Sequence, residues 1–205
     1  MNEFGELAAE LPHKKVTLEK LRAYRQPGTD NGEAIFVRSG LVSKFEMDSS
    51  GKRQIIALAF PGETLFPLNG AGIQAIVRSE VLVLPASSVE ALIDRHPRTV
   101  FKLLRRNEAI SQKWIGRLAM RDALQRVAHA LCETYVRTGY TESAMLNPFT
   151  QQQLGELTGQ TSVNVNRVLA QLERDGLIGR KGKRVELVDM HELKQVAAFN
   201  GDYLQ

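Results

Sequence analysis

Cysteine is the scarcest chemistry-bearing residue in this chain of 205 residues, with Cys132 alone. A single thiol excludes an internal disulfide framework, a four-cysteine metal site and an iron–sulfur cluster ligated from within one chain. Cys132 reads instead as a small buried hydrophobe. The histidines, His13, His96, His129 and His191, are scattered without metal-ligand spacing, so neither a metal centre nor a haem ligand is expected. No apolar run is long enough to span a bilayer. The opening MNEFGELAAELPHKK carries three glutamates where a signal peptide has a basic start and an apolar block. A cytoplasmic protein with no membrane partner is expected. Serine, histidine and aspartate occur, but no spacing joins a nucleophile to a base and no glycine loop is placed to cradle phosphate. No catalytic residue is assigned, and an enzyme is not expected.

The residues that are present divide into three stretches. The length accommodates two small domains, each with its own core. Net charge is +4 and the pI about 9.3, which is compatible with nucleic acid without requiring it. From about 26 to 85, short runs of Ile, Val, Phe and Leu are separated by the turn signals PGTDNG, DSSGK, FPGE and NGAG. Leu41, Phe45 and Met47 alternate with Lys44, Glu46 and Asp48, and Ile76 to Leu84 reads as a further strand. This texture predicts a small antiparallel barrel or roll, of the cupin-like jelly-roll kind. Ser87 with Glu90 offers a capping box for a short helix ending near Arg95.

Pro97 can open a longer helix. From Arg98 to Arg121 there is no proline and only one glycine, Gly116. Ile110, Trp114 and Leu118 recur every four residues along it, a narrow seam of the kind that packs on a partner helix. Asp122 with Gln125 forms another capping box, so the helix is expected to break there. The expected division is a roll over 1–96, a dimerisation helix over 97–121 and a third region over 122–205.

That third region holds the most telling stretch, FTQQQLGELTGQTSVNVNRVLAQLERDGLIGRKGKR. Thr150 and Gln153 form a capping box, Gly159 supplies a turn, and Thr161 can cap a second helix. On that helix Val165, Val168, Leu169 and Leu172 make one buried stripe. Ser162, Val163, Asn166 and Arg167 fall outside the stripe, near its N-terminal end. Gly176 stops the helix, and two short apolar runs follow around a tip of Arg180, Lys181, Gly182, Lys183 and Arg184. Helix, glycine turn, helix and basic hairpin is the layout of a winged helix-turn-helix, which binds double-stranded DNA.

Taken together, the β-roll, the long helix, the D-x-L-x-R-V-A-H-x-L-C segment from Asp122 to Cys132, and the FTQQQLG and NVNRVL segments resemble the Crp–Fnr family of bacterial transcription regulators. The resemblance runs from about residue 26 onward and is strongest from Asp122 to Val188. It implies an α+β homodimer joined along the long helix, with an effector-binding roll and a C-terminal winged helix. It also implies sequence-specific binding to a near-palindromic operator, modulated by a signal at the roll, and contact with RNA polymerase if the protein is an activator. Thr150, Gln151 and Thr161 would hold phosphates, as would Arg180, Lys181, Lys183 and Arg184 of the wing. Arg167 matches the family's guanine-reading arginine. Val163 stands where many members have glutamate and Asn166 where they have a small residue; valine can touch a thymine methyl and asparagine suits adenine, with Ser162 assisting. In the family's cyclic-nucleotide members a G-E pair is followed about ten residues on by R-S or R-T. Gly62–Glu63 matches the first half and is the candidate effector pocket. Ile73–Gln74 replaces the second, and a buried phosphate without its arginine would be costly. No cofactor is therefore expected. The competing reading is a ligand-binding dimeric module whose DNA reader has degenerated.

Overall fold

The computed structural model describes residues 3–28, 30–139, 147–181 and 184–204; at Lys181 and Arg184 the description is of the backbone alone. The chain divides into two compact units, 1–108 and 109–205. The division falls inside the long helix, well before the capping box at Asp122 where the sequence predicts the break.

The first unit contains α1 (Glu3–Glu10), β1 (Lys14–Leu18), β2 (Ala23–Arg25), β3 (Ala34–Ser39), β4 (Val42–Met47), β5 (Arg53–Ala59), β6 (Thr64–Leu65), β7 (Gly72–Ala75), β8 (Ser79–Leu84), α2 (Ala86–Arg95) and the opening of α3 (Pro97–Met120). Two four-stranded antiparallel sheets form the roll, in the orders β1-β8-β3-β6 and β2-β7-β4-β5. Ile35 and Val37 of β3, with Val81 and Val83 of β8, point into the interior beside Leu65, Leu68 and Ile73. The alternate residues Phe36, Leu82 and Leu84 pack outward on Phe4, Val89, Leu92 and Val100 of the helices. Both faces of this sheet are buried, so β3 and β8 read as continuous apolar runs.

Four local expectations change. Residues before 26, outside the stretch read as strands, supply β1 and β2, and β1 pairs with β8 along its length. The strand expected over Ile76–Leu84 begins at Ser79, because Ile76 to Arg78 form a bend after β7. A register irregularity between Lys44 and Phe45 breaks the alternation in β4, leaving Phe45 buried and Met47 46% exposed. The Ser87–Glu90 box does not form: Pro85 is the N-cap of α2, without a side-chain cap bond, and its carbonyl accepts from Ser88 and Val89. Ser88 Oγ donates to the Pro12 carbonyl.

The second unit holds the remainder of α3, then α4 (Ala123–Thr138), α5 (Gln151–Thr158), α6 (Ser162–Arg174), the hairpin β9 (Ile178–Lys181) and β10 (Arg184–Leu187), and α7 (Met190–Val196). Asp122 caps α4 with both bonds of the predicted box. Core packing extends round α4, where Val127 to Thr134 are all buried.

The seam expected on α3 is the helix's inward face. Ile110 is 7% and Trp114 4% exposed within the chain itself, and Trp114 Nε1 donates to Glu133 of α4. Leu118 is half-buried. At about 100° per residue, Phe101, Leu104, Glu108 and Ile115 fall on a neighbouring face, about 110° round the helix. Phe101 is 61% and Ile115 67% exposed, with Leu104 exposed between them. Spacing alone could not rank two apolar stripes on one helix; Trp114 goes inward because its ring and N–H find an apolar bed and a carboxylate.

Candidate nucleic-acid interface

Local chemistry aligns the two helices of the motif. Thr150 Oγ1 accepts from Gln153 N at 3.1 Å while Gln153 Oε1 accepts from Thr150 N at 3.0 Å, closing the box that starts α5. Gly159 ends α5 in the left-handed region, at φ 65°, which glycine enters without a Cβ penalty. A Cβ on Gly155 would lie 2.5 Å from the Gln160 carbonyl oxygen, so glycine there lets the turn fold back on α5. Thr161 Oγ1 then accepts from Asn164 N and starts α6. Val165, Val168, Leu169 and Leu172 are buried, as the stripe predicts.

Ser162, Val163, Asn166 and Arg167 are all exposed on α6. Arg167 makes no hydrogen bond or ion pair with another described residue, so its guanidinium fork is available. Asn166 is different. Its Oδ1 accepts from Gln151 Nε2 at 3.0 Å and from Arg180 Nη1 at 3.2 Å. Arg180 Nε in turn donates to Glu173 Oε2 at 2.6 Å. Thus Gln151 and Arg180, read from sequence as phosphate contacts, also brace the reading helix. Their partners lie on different elements, with no short-range pattern to announce them. Thr150 and Thr161 Oγ1 accept as caps, and neither hydroxyl donates to another described residue. Lys183 lies outside the described residues. The backbone of Lys181 and Arg184 pairs across the hairpin as the wing predicts.

Below this surface, five hydrogen bonds tie the end of α3 and the start of α4 to the motif and to the C-terminal segment. Arg117 Nη2 donates to the Leu157 carbonyl and Arg126 Nη1 to that of Thr158, both at 3.1 Å, satisfying open carbonyls at the C-terminus of α5. Gln160 Nε2 donates to Ala123 O. Arg121 donates to the carbonyls of Ala197 and Ala198. At the centre Glu133, 2% exposed, accepts from Trp114 Nε1 at 2.9 Å, Arg137 Nη1 at 2.7 Å and Tyr203 OH at 2.8 Å. Arg117, 1% exposed, lies 3.9 Å from it and over the Trp114 ring. Burial, with Glu133 adding to it, pushes the Tyr203 phenol well above its ordinary range. His129 is fully buried against Phe199 and Tyr203, and neither ring nitrogen has a hydrogen-bond partner among the described residues. Its 3.9 Å approach to Glu133 is too long for a hydrogen bond. Burial, then Arg117, holds its pKa down at about 3, so the ring is neutral. Burial pushes the Cys132 thiol up to about 12, in keeping with its reading as an inert hydrophobe.

In the first unit, Glu63 is committed to the protein. Its Oε1 accepts from Arg106 Nη2 at 2.8 Å and its Oε2 from Phe60 N at 3.1 Å. Gly62 and Glu63 line an open cleft of about 650 Å³ together with Arg38, Thr99, Lys102 and Arg106. Gln74, where the resemblance would require the arginine–serine pair, is bonded at both ends: Oε1 accepts from Arg53 Nη2 at 2.8 Å and Nε2 donates to Leu21 O. Apolar side chains fill the roll interior. These residues do not fit a cyclic nucleotide. Among the described residues there is also no group of three or more His, Cys, Asp or Glu side chains arranged to hold a metal ion, and no helix is long and apolar enough to cross a membrane.

Residues 125–196 match the family profile described as the Crp-like helix-turn-helix domain. Over 187 residues the chain is 26% identical to the transcriptional activator protein Anr of Pseudomonas aeruginosa, covering 85% of this chain and 76% of Anr. The chain carries a Crp-like helix-turn-helix domain. Electron transport regulator A of Shewanella oneidensis is 24% identical over 208 residues, covering 96% of this chain and 83% of that protein. The solved structure of FixK2 from Bradyrhizobium japonicum shares the fold, with a TM-score of 0.83 at 23% identity, covering 93% of this chain and all of that one. Against the pattern that the sequence resemblance implies, Arg167 stands at the position of the reader arginine, while Val163, Asn166 and the roll's Ile73–Gln74 depart from it.

Proposed function

We propose that this chain is a sequence-specific DNA-binding transcriptional regulator, working in the cytoplasm as a homodimer on a near-palindromic operator. The reading rests chiefly on Arg167: an exposed arginine without a partner among the described residues, held on a capped α6 whose other face is buried. Such a fork suits guanine O6 and N7. Val163, 70% exposed, offers a methyl surface to thymine, and Ser162 stands beside it. Exposed N–H groups at the starts of α5 and α6, with Thr150, Gln151 and Thr161, take phosphate; Lys181, Lys183 and Arg184 add wing charge. The partner subunit packs along the exposed α3 stripe of Phe101, Leu104 and Ile115, which otherwise leaves large apolar side chains in water. RNA polymerase is the further partner where the operator lies so as to activate, and a signal at the roll modulates DNA binding.

Selection of bound sequences from random duplex DNA tests the reading. Two half-sites about one helical turn apart are expected, with a guanine in each that loses its preference in Arg167→Ala at a cost of about 1–3 kcal/mol. Recovery of no preferred sequence would overturn the function, and uniform weakening by Arg167→Ala would make that residue a backbone contact.

A further inference from the structure

We propose that Arg180 is a positioning residue for base reading. Held by Glu173, it occupies the Asn166 amide oxygen together with Gln151, so that Asn166 meets DNA purely as a donor and selects a keto base, guanine or thymine, over adenine and cytosine. This rests on the DNA-reading function above. A guanidinium has donors and no acceptor, so the Asn166 atom 3.2 Å from Arg180 Nη1 must be oxygen; exchanging the amide's ends would set N–H against N–H. Gln151 Nε2 fills the second lone pair of that oxygen at 3.0 Å. Glu173 fixes Arg180 from the other side by the 2.6 Å bond to its Nε. Nδ2 makes no hydrogen bond to another described residue, and Asn166 is exposed.

In the major groove an asparagine reads adenine with both ends, Oδ1 accepting from N6 and Nδ2 donating to N7. Here the accepting end is already saturated. Adenine can still accept at N7 but would leave its N6 amino group facing an oxygen with no lone pair to give, and cytosine presents only a donor. Guanine O6 and N7 and thymine O4 accept. The preference expected from sequence for asparagine, adenine, is therefore reversed by Gln151 of α5 and Arg180 of β9, the latter held by Glu173 of α6 itself.

The test selects sequences from random duplexes with the wild-type chain, Asn166→Ala, Arg180→Ala and Glu173→Gln. The base pair read by Asn166 is the one whose preference flattens in Asn166→Ala. At that position the wild-type protein should prefer guanine or thymine. Arg180→Ala frees a lone pair and should raise adenine there by roughly tenfold, the worth of one discriminating hydrogen bond, with the rest of the half-site unchanged. Glu173→Gln keeps the Arg180 charge while loosening its hold, so a gain of adenine in that variant separates positioning from phosphate attraction, even if Arg180→Ala fails to fold. A wild-type preference for adenine or cytosine at that position would overturn the proposal. So would an Arg180→Ala protein that binds all sequences more weakly with a shallower salt dependence, as loss of a phosphate contact requires, or an Asn166→Ala protein that flattens no position. Absence of any selected sequence with the wild-type chain would instead defeat the DNA-reading function itself.

Discussion

Replacing Glu133 by alanine should cost the second unit about 3–5 kcal/mol, the usual consequence of removing one partner from a buried ionic group and leaving the other uncompensated. The carboxylate is 2% exposed and accepts from Trp114, Arg137 and Tyr203, with the 1% exposed Arg117 3.9 Å away. Without it, Arg117 keeps the Leu157 carbonyl and the Trp114 ring, while the indole N–H and the phenol lose their acceptor. Glu133→Gln preserves the volume and one accepting oxygen but not the charge, and should fall between alanine and wild type. In the double variant Glu133→Leu with Arg117→Met the cost should be less than the sum of the two single costs, because Arg117 is then not left stranded beside the missing carboxylate. Trp114 is the sole tryptophan and sits in this cluster, so urea unfolding followed by its fluorescence reports on the second unit, with far-ultraviolet circular dichroism as a check on the altered ring environment. A Glu133→Ala protein within about 1 kcal/mol of wild type would refute the reasoning, since a mere surface ion pair is worth that little.

Two further outcomes are expected beside those already given for Arg167 and Arg180. Ile115→Glu, alone or with Phe101→Glu, should shift the protein from dimer to monomer in sedimentation velocity, whereas Trp114→Phe should weaken the second unit and leave the dimer intact; a dimeric Ile115→Glu protein would place the interface elsewhere. His129 gives a pH signature. Its folded pKa of about 3 lies below the ordinary 6.5, so the unfolded chain binds the extra proton; the stabilisation is fully present above about 6.5 and is lost as pH falls toward 3. One proton changes stability by about 1.4 kcal/mol per pH unit, or about 2 kcal/mol between pH 6.5 and 5. His129→Leu should flatten that dependence in thermal melts, and an unchanged slope would show that the acid sensitivity comes from other groups.

The motif was legible because its determinants are short-range. A threonine or aspartate three residues before a glutamine closes a capping box through bonds among neighbours, and both the Asp122 and the Thr150 boxes form. The buried stripe of α6 follows from helical period alone. Ser87 failed as a cap because Pro85, two residues earlier, is already the N-cap of α2. β1 and β2 were missed because their pairing partners lie more than fifty residues away, in β8 and β7. Gly62 and Glu63 were found, but with a different use: the carboxylate that resembled a ligand group is spent on Arg106 and its own turn.

By itself, then, the sequence determined the kind of protein: a roll, a long helix and a winged helix-turn-helix with Arg167 exposed on its second helix, since caps, turns and periods act over a few residues. Tertiary structure decided which stripe of α3 faces inward, where the chain divides, and what Asn166 has left to offer. Each of those depends on side chains brought together from distant elements. A hydrogen-bond acceptor filled by Gln151 and Arg180 looks, in the sequence, the same as an empty one.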